Sequence, residues 1–80
     1  MFQLSPEVRK ALDRNRPIVA LESTLIAHGF DYPENIEVGR AVEAVVRDAG
    51  AIPATIALVA GVIKVGLTAD EMLEIAQNSA

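Results

Sequence analysis

Apolar positions along this chain fall into blocks of two different periods. Pro17 is followed by Ile18-Val19-Ala20-Leu21, an apolar run that stops at Glu22. A short, proline-bounded run rich in β-branched residues predicts a buried strand over Ile18–Glu22. Further on, Val38, Ala41, Val42, Val45, Val46 and Ala49 keep a three-four spacing, with Glu34, Glu37, Glu43, Arg47 and Asp48 between them. That period predicts an amphipathic helix, opened by Pro33 and stopped by Gly50. Ala54–Ala60 is apolar apart from Thr55 and follows Pro53. It predicts an interior strand whose first residues tolerate a missing N–H. Strand, helix and strand make a βαβ unit, a connection that is right-handed in almost every sheet.

Two helices flank this unit. Ser5 and Pro6 supply an N-cap and a first helical position, Val8, Ala11 and Leu12 share a face, and Pro17 ends the helix near Asn15. Thr68-Ala69-Asp70-Glu71 forms a capping box ahead of Ala69, Met72, Leu73 and Ala76. Ser23–Tyr32 is predicted as a loop with Gly29 as its turn point. Gly61 permits a sharp turn, and Val62–Val65 fits a short strand and an irregular turn equally well. The fold class is therefore α/β, with no internal domain boundary in residues 1–80.

Composition sharpens this picture. Hydrophobic residues make up 51% of the chain and aromatics only 4%, so the apolar content is aliphatic. Such a composition suits strands covered on both faces, and it exceeds what a chain of this length buries alone. Two interior-type strands would leave sticky edges. The expectation is the first part of a larger three-layer α/β/α domain. With no cysteine, disulfides and thiolate metal sites are excluded. The net charge is −4, and Arg9, Lys10, Arg14 and Arg16 alternate with Glu7 and Asp13. That reads as a solvated helix face and not a nucleic-acid footprint, and aromatics for base stacking are scarce. The start of the chain lacks a basic region followed by an apolar one, and the uncharged Ala51–Ile63 stretch is too short to span a bilayer. The expectation is a cytoplasmic protein with no membrane partner.

Glu22 is the leading chemical candidate. A carboxylate is costly to desolvate, yet this one ends an apolar strand, and ligands of open α/β sheets bind beyond the carboxyl ends of strands. Two readings stay open: a general acid whose pKa is raised by partial burial, or a carboxylate that caps local N–H groups or pairs with an arginine. Ser23 and Thr24 can contact a substrate hydroxyl or phosphate, or satisfy loop backbone, the latter being favoured. His28, the single histidine, has no second ligand at metal spacing and reads first as a loop hydrogen-bonding group. Lys64 reads as a lysine reaching solvent along its stem.

The segments Val19-Ala20-Leu21-Glu22-Ser23-Thr24, Ala27-His28-Gly29 and Tyr32-Pro33-Glu34-Asn35 resemble the N-terminal signature of the pseudouridine-5′-phosphate glycosidases. Gly50-Ala51-Ile52-Pro53-Ala54-Thr55-Ile56-Ala57, then Gly61 and Lys64-Val65-Gly66-Leu67, match a second block in the same order. Asp31 stands where the family commonly has proline, and Ala60 where it often has glycine. The resemblance implies reversible cleavage of the carbon–carbon glycosidic bond of a small nucleotide, pseudouridine 5′-phosphate, to uracil and ribose 5-phosphate. It implies a lysine imine at the anomeric carbon, with Glu22 matching the proton-handling glutamate. It also implies a divalent metal, usually manganese, and a homotrimer. The nucleophilic lysine and the metal ligand would lie outside these residues, so the chain alone is expected to be inactive and to hold no metal ligand. A second hypothesis is a non-catalytic α/β module that binds a small molecule or completes another subunit's sheet.

Overall fold

The computed structural model describes residues 2–78, with the side chains of Leu25 and His28 outside that description. In chain order it contains β1 (Phe2–Leu4), α1 (Pro6–Asp13), β2 (Ile18–Glu22), a π-helical turn (Leu25–Gly29), α2 (Glu34–Asp48), β3 (Ile52–Val59), β4 (Val62–Val65) and α3 (Ala69–Asn78). The α/β class and the βαβ unit expected from the sequence are present: β2 and β3 pair in parallel, from Ile18 opposite Ile52 to Glu22 opposite Ile56. The whole sheet is mixed, in the order β1-β4-β3-β2. β3 is interior, as expected, and so is β4. β2, expected to be buried, is an edge strand with Val19 and Ala20 exposed.

Two strands escape the sequence pattern for physical reasons. β1 is three residues long, and its partner β4 is remote in sequence: Phe2 lies opposite Ile63 and Leu4 opposite Val65. β4 itself resolves the ambiguity at Val62–Val65 in favour of a strand, antiparallel to β3. Ser23–Tyr32, expected to be irregular, contains the π turn. It is anchored where Ser23 O accepts the N–H groups of Ile26 and Ala27, both at 3.0 Å.

The helix ends follow the expected caps. Ser5 Oγ accepts the Val8 N–H at 3.1 Å. In the capping box, Thr68 N donates to Glu71 Oε1 at 2.9 Å and Glu71 N donates to Thr68 Oγ1 at 3.1 Å. α2 is different, because the helix is turned about its axis relative to the expected apolar stripe. Its buried positions are Asn35, Ile36, Gly39 and Glu43, while Val45 is 68% exposed and Ala41 and Ala49 are exposed too. Two contacts fix this rotation. A side chain at Gly39 would meet Ile26, so only glycine lets the helix close on the π turn. Thr55 Oγ1 donates to Glu43 Oε2 at 2.6 Å, drawing a carboxylate into the interface. Arg47 extends the link, reaching Glu43 at 3.5 Å and Glu7 of α1 at 2.9 Å. The hydrogen bond that Arg47 donates to Glu7 is the main cause that raises the Arg47 pKa above its ordinary value.

The core lies between the sheet, the π turn, α2 and α3, and comprises Ile26, Ile36, Ala57, Leu67, Met72 and Ala76. Ala57 and Thr55 point into it. Strand alternation sends Ile56 and Leu58 the other way. There Leu58, Ile63 and Phe2 are register partners in a straight row across three strands. Leu58 is 73% exposed and Phe2 68% exposed. Among the described residues this part of the sheet face is uncovered.

Val59 pairs with Val62, so Ala60-Gly61 is a two-residue hairpin loop with positive φ at both positions, 51° and 79°. This is the turn that matches strand twist, and it places an alanine in the left-handed region. Ala60→Gly is expected to raise stability by about 1 kcal/mol in chemical denaturation. Gly66→Ala should do the opposite. Gly66 has φ 88°, and an added Cβ would sit 2.6 Å from Val8 Cγ2 and against Ser5 Oγ. A loss of about 2–4 kcal/mol is expected in the same measurement.

Candidate active site

β2 delivers Glu22 to the point where the chain leaves the sheet and enters the π turn. Two residues later, Thr24 adopts helical dihedrals (φ −56°, ψ −39°) and folds its hydroxyl back, so that Thr24 Oγ1 donates a hydrogen bond to Glu22 Oε1. The sequence readings offered Thr24 either to a substrate or to loop backbone; it binds the carboxylate instead. Ser23 is half-buried, and its carbonyl starts the π turn. The His28 side chain lies outside the described residues, so only its place within the turn is given.

Glu22 is exposed, as is its register partner Ile56. The partial burial anticipated for it is not supplied by residues 2–78. It is not paired with an arginine, since the ion pairs of the described residues run Arg47–Glu7, Arg47–Glu43 and Lys64–Glu71. A cavity of about 20 Å³ borders Glu22, Ile26, Gly39 and Thr55, enough for about one water molecule. A larger cleft, about 370 Å³, lies elsewhere, between the starts of α1 and α3 and Arg40 and Arg47 of α2. Its charges are largely spent on one another through the Arg47 pairs, and Glu22 takes no part in it.

Lys64 does not extend freely into solvent as expected. Its ammonium donates to Gln3 Oε1 and lies 3.1 Å from Glu71 Oε2, binding β1, β4 and α3 together. No three His, Cys, Asp or Glu side chains among the described residues stand together as a metal site.

Asn35 escaped the sequence reading as a site residue. It is fully buried (0% exposed), and its Nδ2 donates to Ile26 O at 2.9 Å and Ala76 O at 2.8 Å. The signal was present in the spacing of Asn35, Gly39 and Glu43, a polar and small stripe that resembles a solvent face.

The profile of a family described as Indigoidine synthase A like protein matches residues 7–80. Pseudouridine-5′-phosphate glycosidases of Symbiobacterium thermophilum and Deinococcus radiodurans are 60% and 57% identical over 79 residues, covering 99% of this chain and 25% of each relative. The chain therefore spans about a quarter of the length of these curated relatives. Among solved structures, the prealnumycin C-glycosynthase AlnA in complex with ribulose 5-phosphate superposes with a TM-score of 0.77 at 38% identity, over 98% of this chain and 24% of that one. An indigoidine synthase A-like protein of Thermotoga maritima gives 0.71 at 28% identity, over 84% and 23%.

The Thr68 backbone N–H holds the Glu71 carboxyl below its ordinary value of 4.5, against the opposing effect of desolvation and with further help from the Lys64 ammonium. A depressed folded-state pKa gives stability that is present above the unfolded value and lost as pH falls through the folded one. Glu71→Gln is therefore expected to cost about 0.5 kcal/mol at neutral pH. Urea titrations of variant and wild type should converge as pH falls through the lowered folded-state value.

Proposed function

We propose, from the premise that this chain belongs to the Indigoidine synthase A like protein family, that it supplies the proton-handling carboxylate of a C-glycoside-cleaving enzyme acting on pseudouridine 5′-phosphate. The observation that carries this reading is the strand-end Glu22 with the Thr24 hydroxyl bound to it, in a chain 60% identical to a glycosidase named for that substrate. The complex of AlnA with ribulose 5-phosphate supports a phosphorylated pentose as the sugar class.

The chemistry sets the demand. A carbon–carbon glycosidic bond offers no heteroatom lone pair for protonation, so the uracil ring carbon must receive a proton as the bond to the anomeric carbon breaks. In this reading the ribose ring opens as the bond from the anomeric carbon to the ring oxygen breaks, that oxygen leaving as a hydroxyl of the sugar chain, and a lysine amine bonds to the anomeric carbon in its place. As the bond to uracil breaks, the nitrogen lone pair closes the imine to the sugar carbon, the bonding pair stays on the uracil ring carbon that takes up the proton, and water later hydrolyses the imine to release the lysine and ribose 5-phosphate. That lysine belongs to the part of the protein outside residues 1–80. Glu22 moves the proton, a role that requires a carboxylate within hydrogen-bond reach of the ring carbon. Thr24 engages Oε1 and thereby orients Oε2 for the substrate. Ser23, Thr24 and His28 are proposed to contact the substrate around this group. Activity is assigned to the full-length protein, and a homotrimer and a cytoplasmic location go with the same reading. Among the described residues no helix is long and apolar enough to cross a membrane.

The uncovered row of Phe2, Ile63 and Leu58 also keeps alive the second reading, a module that completes another subunit. One experiment separates the two. Full-length protein should release uracil from pseudouridine 5′-phosphate, and Glu22→Gln should lower kcat at least about 100-fold with an unchanged unfolding midpoint. Wild-type-like turnover by the variant removes Glu22 from the mechanism. No release by the wild type favours the module.

A further inference from the structure

We infer that Asn35 is a positioning residue: its buried carboxamide fastens the π turn that follows Glu22 and so sets the geometry of the Glu22–Thr24 pair. The inference rests on the proposed function for its catalytic half and on geometry for the rest.

Both Nδ2 hydrogens of Asn35 are committed, one to Ile26 O in the π turn and one to Ala76 O in α3, while Oδ1 accepts the Ile36 N–H at 2.8 Å. A residue needed only to start α2 would spend its side chain on its own helix. This one joins the turn, α2 and α3 instead. Ile26 is gripped a second time through its side chain, packed where a Cβ on Gly39 would come within 2.9 Å, with Met72 Sδ at 3.4 Å from the same point. The turn that Ile26 belongs to hangs from Ser23 O, and Thr24 lies between them. Glu22 is exposed, and its carboxylate accepts a hydrogen bond from the Thr24 hydroxyl. The order of dependence thus runs from Asn35 to Ile26, from Ile26 through the turn to Thr24, and from Thr24 to the carboxylate. Single-turn π segments recur at functional sites for this kind of local re-aiming.

The test uses full-length protein with Asn35→Asp, which keeps the shape and removes both donors. Three readouts are taken: amide exchange across residues 24–29 and across β3, kcat and KM for uracil release, and the unfolding midpoint. The expected result is exchange at Ile26 and Ala27 faster by about tenfold or more with β3 unchanged. With it, kcat should fall about 10- to 100-fold at constant KM. Gly39→Ala, which presses on Ile26 from the other side and suits a helix, should give the same signature and serves if the first variant does not fold. A loosened turn with intact kcat in either variant overturns the inference. So does a uniform rise in exchange across the protein with intact kcat per folded molecule. If the wild type releases no uracil, the functional reading fails and takes the catalytic half with it, while the exchange measurement separately decides whether Asn35 fastens the turn.

Discussion

A carboxamide with no exposed surface is the constraint on which the helical side of this fold depends. Burying an amide without partners would cost a few kcal/mol, and Asn35 avoids that only because two carbonyls from different elements converge on it. One of them, Ala76 O, lies in the last turn of α3. The other, Ile26 O, belongs to the π turn. The amide therefore binds both carbonyls at once, and it does so only when α2, α3 and the turn are mutually placed. Apolar packing of Ile26, Ile36, Met72 and Ala76 supplies the bulk of the attraction there, but is tolerant of rotation. The hydrogen bonds are not.

This explains how much of the molecule was legible in the sequence. β2 was found to the residue, since Pro17 and Glu22 bracket one uninterrupted apolar run. α1 and α3 were legible through local capping chemistry at Ser5-Pro6 and Thr68–Glu71, which acts within a few residues. The rotation of α2 was not. Periodicity assumes that the apolar stripe faces inward, and here Asn35, Gly39 and Glu43 outcompete Ala41, Val45 and Ala49 through specific contacts with Ile26, Ala76 and Thr55. Those partners lie between nine and forty-one residues away, so no window over the helix itself contains them. Thr24 was a named candidate, but a hydroxyl folded back on Glu22 depends on turn dihedrals that composition does not encode.

The sheet is finished on one side and unfinished on the other. α2 and α3 seal the face of Thr55 and Ala57, whereas Phe2, Ile63 and Leu58 present a row of apolar side chains to water. Parallel pairs such as β2–β3 are usually covered on both faces. Glu22 stands at the edge of this asymmetry, and a relative four times longer has ample chain with which to alter its surroundings.

The pairing of β1 with β4 has a consequence for the order in which the molecule assembles. Phe2 and Ile63 are about sixty residues apart in sequence, whereas β3 and β4 are joined by two. On the ribosome β1 emerges long before its partner among the described strands exists, and it cannot pair with β4 until residue 65 has left the tunnel. Closing a loop of that length costs more entropy than closing a hairpin, so β4 is zipped to β3 before it can serve as the template for β1. The chain's beginning is thus the last part of the sheet to be laid down.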